Sequence, residues 1–274
     1  MTHLDAEAIR QFANQSANNN LASIEVFAEI ESTNSYLMQM PGPAPGKISI
    51  AATSNQTAGR GRHGKTWLSP PGSGLCLSAA YTFAASPDNL PALTLALGLG
   101  AIDALEELGA TNIELKWPND LVARDGKLGG MLTEVQQHSG AAVTVVTGIG
   151  VNIDLQSTLD FGAGSDWAAQ VVDLKAICEV EPGHDEVAGK LASHLLQAFA
   201  SYEKSGFAAI AHRWAKFDWL FGREITIDTV GSQFSGFGAG VANDGALLVD
   251  TPDSGIRRVT SGTIVRAGAR KESR

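Results

Sequence analysis

The chain has 274 residues, 44% of them hydrophobic and 18% charged, which suits one large domain with a core of its own and a second, smaller one. Its formal net charge of −9 argues against a general nucleic-acid binder or a protein held to anionic membranes, because neutralising phosphate takes a basic face. The two cysteines, Cys76 and Cys178, have no metal-ligand spacing and are expected as reduced thiols in a cytoplasmic protein.

The N-terminus, Met1-Thr2-His3-Leu4-Asp5, lacks the basic start and apolar core of a signal peptide. Residues 1–22 offer a helical turn or two over Asp5 to Phe12. The polar tract Asn14 to Asn20 follows, too poor in apolar groups to pack, so a flexible leading segment is expected. It leaves no room for a winged-helix module.

Residues 23–217 read as the main domain. Ile24 to Ile30 alternates as a first strand, and Ser32 or Thr33 caps a helix running to Met38. Ile48 to Ala52 is a second strand, leading through Thr53 to Thr57 into a glycine-rich loop. Gly74 to Phe83 is a third strand. The greasy stretch from Leu93, interrupted by Gly98, Gly100 and Asp103, is too short for a membrane span and reads as a buried helix closed by Gly109. Asn112 to Trp117 is a strand with Ile113, Leu115 and Trp117 on one face and Glu114 and Lys116 on the other. Pro118 ends it and Asn119-Asp120 turn. Leu121–Val122 and Met131–Val135 flank a hairpin-like Asp125-Gly126-Lys127. Ala141 to Val146 is a buried strand continuing through Gly148 to Ile153. Asp185 to Tyr202 is an amphipathic helix, and Phe207 to Phe217 a last one. Residues 218–274 carry short strands (Glu224–Thr229, Gln233–Val241, Ala246–Asp250, Ile256–Thr260), a small β-barrel that must dock on the larger domain to be stable. The class is α+β.

The stretch Gly59-Arg60-Gly61-Arg62-His63-Gly64-Lys65-Thr66-Trp67 concentrates cations on glycine-bearing backbone in an acidic protein, the composition of a site that gathers anions. Gly59, Gly64, Lys65 and Thr66 also satisfy the spelling of a Walker A loop. That motif needs a strand running straight in and a helix leaving, whereas a polar run precedes this loop and Pro70-Pro71 follow it. A solvated basic turn is the plain alternative.

Four segments occur together: Gln56 to Trp67, Lys116-Trp117-Pro118-Asn119-Asp120, Gly126-Lys127-Leu128-Gly129-Gly130-Met131-Leu132-Thr133-Glu134, and Gly148-Ile149-Gly150-Val151-Asn152. With Ser32-Thr33-Asn34 ahead of them, they resemble in order the signature of biotin protein ligases, over about residues 29–154. The resemblance implies a mixed central sheet with helices, like the class II aminoacyl-tRNA synthetases, plus an SH3-like C-terminal β domain. It implies two steps: biotin and MgATP give biotinyl-5′-AMP and pyrophosphate, and a lysine of a biotin carboxyl carrier domain then takes the biotin. Without a winged helix, the likeness is to the enzyme-only members, with no nucleic-acid or membrane partner, as monomer or weak homodimer.

The same resemblance assigns residues. Arg60, Arg62, Lys127 and Asp120 are the expected catalytic set, with Lys127 bridging carboxylate and α-phosphate. Ser32, Thr33, Asn34, Gln56, Gly59, Gly61, Gly129 and Gly130 are expected against biotin with Arg60, Arg62 and Lys127. Trp67, Lys116, Asn119, Asn152 and Arg266 join Arg62 against the adenylate. Mg²⁺ would arrive with ATP, Asn119 being a possible contact, with no fixed metal site.

Elementary chemistry explains these residue types. Two unit charges about 4 Å apart repel by roughly 4 kcal/mol at an effective dielectric near 20, so cations must stand between a carboxylate and a polyphosphate. An attacking lysine with a pKa of about 10.4 costs roughly 4.6 kcal/mol to neutralise at pH 7, and a carboxylate, which the resemblance puts at Asp120, can hold it or take its proton. Where the family loop often carries arginine this chain has Lys65, which keeps the charge and loses the bidentate fork. Two rivals remain: a lipoate or octanoyl ligase of the related fold, and a non-catalytic nucleotide-binding module.

Overall fold

The computed structural model describes residues 4–136, 141–155 and 171–270. In chain order the elements are α1 (Ala6–Phe12), α2 (Gln15–Asn20), β1 (Leu21–Phe27), α3 (Thr33–Gln39), β2 (Ile48–Thr53), β3 (Gly74–Phe83), α4 (Leu93–Glu107), β4 (Ile113–Lys116), β5 (Asp120–Ala123), β6 (Gly126–Gln136) and β7 (Val143–Asn152). Then come α5 (Leu174–Ile177), α6 (His184–Ser205), α7 (Ala211–Trp214), β8 (Arg223–Thr229), β9 (Ser232–Val241), β10 (Leu247–Thr251), β11 (Gly255–Val259) and β12 (Thr263–Arg270).

The first seven strands make one mixed sheet in the order β1-β2-β3-β7-β6-β5-β4, parallel between β1 and β2 and antiparallel elsewhere. β3 is buried at all ten positions, on its small or polar face as well as its larger apolar one. Its two faces nevertheless do different work. Leu75, Leu77, Ala79, Tyr81 and Phe83 join the large core with α4 and α6, where the Tyr81 and Phe199 rings stack 4.8 Å apart. Cys76, Ser78 and Ala80 point the other way, Ala80 against Leu37 of α3 and the other two into a cavity. α4 is apolar nearly all round because it lies between the sheet and α6. α6 is amphipathic, with Asp185 and Glu186 in its first turn, Lys204 in its last and Gly206 (φ 64°) ending it.

The N-terminal segment corrects the sequence expectation. Asp5 caps α1 and Asn14 caps α2, each accepting from a backbone N–H at 2.8 Å, and Leu4, Ile9, Ala13 and Ala17 are buried. The polar tract packs because its amides bond to nearby backbone: Asn18 donates to Arg10 O at 2.9 Å, and Asn14 N–H donates to Ser193 Oγ of α6 at 2.9 Å. One small apolar side chain then suffices. The boundary expected after residue 22 falls inside β1; residues 1–3 lie outside the described residues.

The helix expected over Phe207 to Phe217 is reduced to α7. The chain turns instead, so that Phe217 O accepts from Leu115 N–H (2.7 Å) and Trp219 N–H donates to Leu115 O (3.0 Å), which pins the interdomain connection to the edge strand β4.

β8 to β12 form an antiparallel sheet in the order β11-β10-β9-β8-β12, consistent with an SH3-like domain. β12 was not foreseen as a strand. The sheet shares the large core through Ile225, Ile227, Leu247 and Val249. Trp117 Nε1 donates to Gly245 O at 3.0 Å, and ion pairs Arg270–Glu114 (2.6 Å) and Arg223–Asp125 (2.7 Å) close the junction.

Candidate active site

The face of β3 turned from α4 and α6 floors a cavity of about 760 Å³. Its first wall is the N-terminus of α3. Ser32 caps the helix through Ser35 N–H (3.3 Å), and Thr33 and Asn34 are buried behind it. Thr33 N–H donates to Gln56 Oε1 (2.8 Å), Thr33 Oγ1 meets Ser78 Oγ (2.7 Å), and Ser78 donates to Asn34 Oδ1 (2.6 Å). Asn34 Nδ2 donates onward to Leu132 O and Glu134 Oε2, both at 3.0 Å. Asn34 lies over Gly148, where any Cβ would collide with its amide.

The second wall is built on β4, β5 and β6. The antiparallel register that pairs Asp120 with Gly130 brings Lys127 back over it, and Lys127 Nζ sits 2.6 Å from Asp120 Oδ1. Asn119 Nδ2 donates to Met131 O at 2.6 Å, and its Oδ1 accepts from Arg62 at 3.4 Å. Lys116 lines the cavity and is 2% exposed. Desolvation pulls its pKa down to about 7; Asp120 opposes that, while Lys127 and Lys65 add to it. Its amine stands 5.7 Å from the Trp219 ring.

The glycine–arginine loop lines a third side of the cavity. Gly61 N–H donates to Lys65 O (2.7 Å) and Trp67 N–H to Gly59 O (2.9 Å), with His63 (φ 55°) and Gly64 (φ 72°) at the tip. No α-helix leaves it, so the Walker spelling has no structural counterpart. The Trp67 ring lies directly on Gly150 of β7, a position no side chain could share, and 5.7 Å from Lys127 Nζ. Burial lowers the Arg62 pKa, opposed by Asp120. Arg60 makes a fork onto Glu134, Nη2 to Oε1 at 2.7 Å and Nη1 to Oε2 at 3.2 Å. Gly262, Thr263, Ile264 and Val265, at the start of β12, complete the enclosure from the second domain.

The cavity thus brings together Ser32, Thr33, Asn34, Gln56, Arg60, Gly61, Arg62, Trp67, Lys116, Asn119, Asp120, Lys127 and Gly130. Four expected residues are not in its lining. Gly59 lies behind the loop against Trp67 O, and Gly129 faces Gly150 O and Leu121. Asn152 donates through Nδ2 to Lys127 O (3.2 Å) and Val172 O (3.0 Å), which braces the Lys127 backbone. Arg266 is exposed on β12, and its neighbours 262–265 line the wall instead. Sequence reasoning missed Ser78 and Cys76, whose only signal is polar or small character at every second position of β3. It also gave Glu134 no role, although that residue ends a quoted motif.

The sequence model of the biotin/lipoate A/B protein ligase family matches residues 26–152. The bifunctional ligase/repressor BirA of Escherichia coli is 31% identical over 228 residues, covering 83% of this chain and 69% of that protein. The chain belongs to the biotin/lipoate A/B protein ligase family. Within it, the biotin–[acetyl-CoA-carboxylase] ligase of Paracoccus denitrificans is 28% identical over 242 residues, covering 83% of this chain and 94% of that one. The biotin protein ligase from Aquifex aeolicus, solved in complex with biotin and ATP, superposes with a TM-score of 0.74 at 25% identity, covering 90% of this chain and all of that one.

Proposed function

We propose that this family member is a biotin protein ligase. It activates biotin with MgATP to biotinyl-5′-AMP, releasing pyrophosphate, and passes the biotin to a lysine of a biotin carboxyl carrier domain in the cytoplasm. One observation carries the reading: Arg62, Lys127 and Asp120 share a cavity with the Thr33–Ser78–Asn34 polar network. The network suits a neutral ureido ring beside an apolar channel, and the cations suit the two anions that must meet.

Before substrates arrive, Lys127 is paired with Asp120 at 2.6 Å. A carboxylate and an α-phosphate entering beside Lys127 compete for its ammonium. Asp120 is then free to orient the carrier's amine and accept its proton as the amide forms and AMP leaves. Among the described residues no group of three or more His, Cys, Asp or Glu could hold a metal. Mg²⁺ arriving on the phosphate oxygens of ATP would need only the odd protein oxygen, for which Asn119 is the candidate, and would shield the charge of the leaving pyrophosphate.

Biotin-dependent exchange of pyrophosphate into ATP tests the first step, and mass spectrometry of a carrier domain tests the second. Lys127→Ala is expected to lower exchange by about a hundredfold or more, the scale of losing a charge aimed at the transition state. Intact exchange in that variant sinks the assignment. Exchange driven by lipoate or octanoate instead of biotin supports the related acyl ligase, and none with any acid supports a binding module.

A further inference from the structure

We propose that Glu134 is a positioning residue that couples filling of the biotin pocket to closure of the glycine–arginine loop. The inference rests on the biotin-ligase reading and assigns a control element within that site.

The polar network is a circuit. It leaves the loop approach at Gln56, runs through Thr33, Ser78 and Asn34, and reaches Glu134 Oε2 through Asn34 Nδ2 (3.0 Å). From Glu134 it returns to the loop at Arg60, four residues beyond Gln56, by the two bonds of the guanidinium fork. Arg60 Nη1 also approaches Ser35 Oγ at 3.3 Å, so α3 and the loop are drawn together at that point. Glu134 itself is anchored on β6, paired with Val146 of the central strand β7.

Glu134 thereby sets two things at once. Accepting from Asn34 Nδ2 alongside Leu132 O, it helps hold the amide so that Oδ1 meets Ser78 inside the pocket, and the opposite amide orientation would face an N–H where Ser78 donates. Accepting from both ends of the Arg60 fork fixes where the loop begins to fold over. The Arg60 side chain is 47% exposed, so the ion pair alone contributes little to stability. Its consequence is geometric: a ligand that fixes Asn34 also fixes Glu134, and through it the base of the loop.

The test compares wild type, Glu134→Gln and Glu134→Asp in pyrophosphate exchange and in trypsin cleavage of residues 60–65, with biotin alone, ATP alone and both. In Glu134→Gln the KM for biotin is expected to rise about tenfold, within the usual range of coupling between two sites, with kcat and the KM for ATP changing less than about threefold. Biotin alone should protect the loop in wild type and cease to do so in Glu134→Gln. Glu134→Asp keeps the charge one methylene short and should show the same uncoupling to a smaller degree; it decides the matter if Glu134→Gln fails to fold. An unchanged biotin KM with unchanged protection overturns the inference. Absence of biotin-dependent exchange in wild type would instead overturn the underlying ligase reading, so the two failures are distinct.

Discussion

Lys116 is a lysine that burial has brought to the edge of neutrality at physiological pH. Its folded-state pKa of about 7 means that at pH 8 most molecules carry it uncharged, while at pH 6 most carry it charged. A triphosphate entering the cavity favours the ammonium form. ATP binding at pH 8 should therefore take up close to one proton, and calorimetric titrations in buffers of differing ionisation enthalpy measure it. Lys116→Met should abolish the uptake; an equal uptake in that variant would trace the proton elsewhere. Among the loop residues, Gly59 and Gly61 look alike in sequence, yet only Gly61 lines the cavity, since strand parity and turn geometry decide which backbone faces in.

Individual elements were legible to differing degrees. β3 runs from Gly74 to Phe83 as its alternating sequence suggests, a period of two that survives burial of both faces. α4 and α6 likewise follow from apolar content and glycine stops. The site motifs were legible because each is contiguous. What joins them was not: β7 lies between β3 and β6, and no spacing reveals that Gly148 and Gly150 open room for Asn34 and Trp67. β12 was missed, its two arginines and Gly268 leaving little apolar pattern.

At the junction after α7, Asp218 is buried with Oδ1 accepting from Leu220 N–H (2.9 Å) and no hydrogen-bond partner for Oδ2 among the described residues. Burial raises its pKa to about 6, with Glu114 adding to the rise and Arg270 opposing it. The unfolded chain ionises there near pH 3.9, so between about 4 and 6 the folded state holds the extra proton and stability falls as pH rises. Asp218→Asn keeps the Leu220 bond and removes the charge. It should gain about 1–2 kcal/mol, or several degrees in Tm, at pH 7.5 and nothing at pH 4, by scanning calorimetry. Equal gains at both values would place the effect in packing instead.

At the scale of the whole molecule, two sheets contribute to one cavity. The large sheet supplies its floor, the pocket network and the cationic wall, and the second domain supplies Gly262 to Val265. The small domain could not bury enough surface alone, and its apolar face is continuous with the main core.

The covalent bridge between those domains is bonded on both sides of Leu115, and the next residue on each strand is Lys116 or the aromatic that faces it, Trp219. Trp219 also donates to Asp125 Oδ1 at 2.9 Å and stacks 4.1 Å from the Arg223 guanidinium. Its indole consequently sits in an electric field that alters whenever the neighbouring amine changes protonation. Native fluorescence offers a probe-free optical signal of nucleotide arrival, carried by a tryptophan outside the reacting groups, and replacing Trp219 with phenylalanine should silence that component.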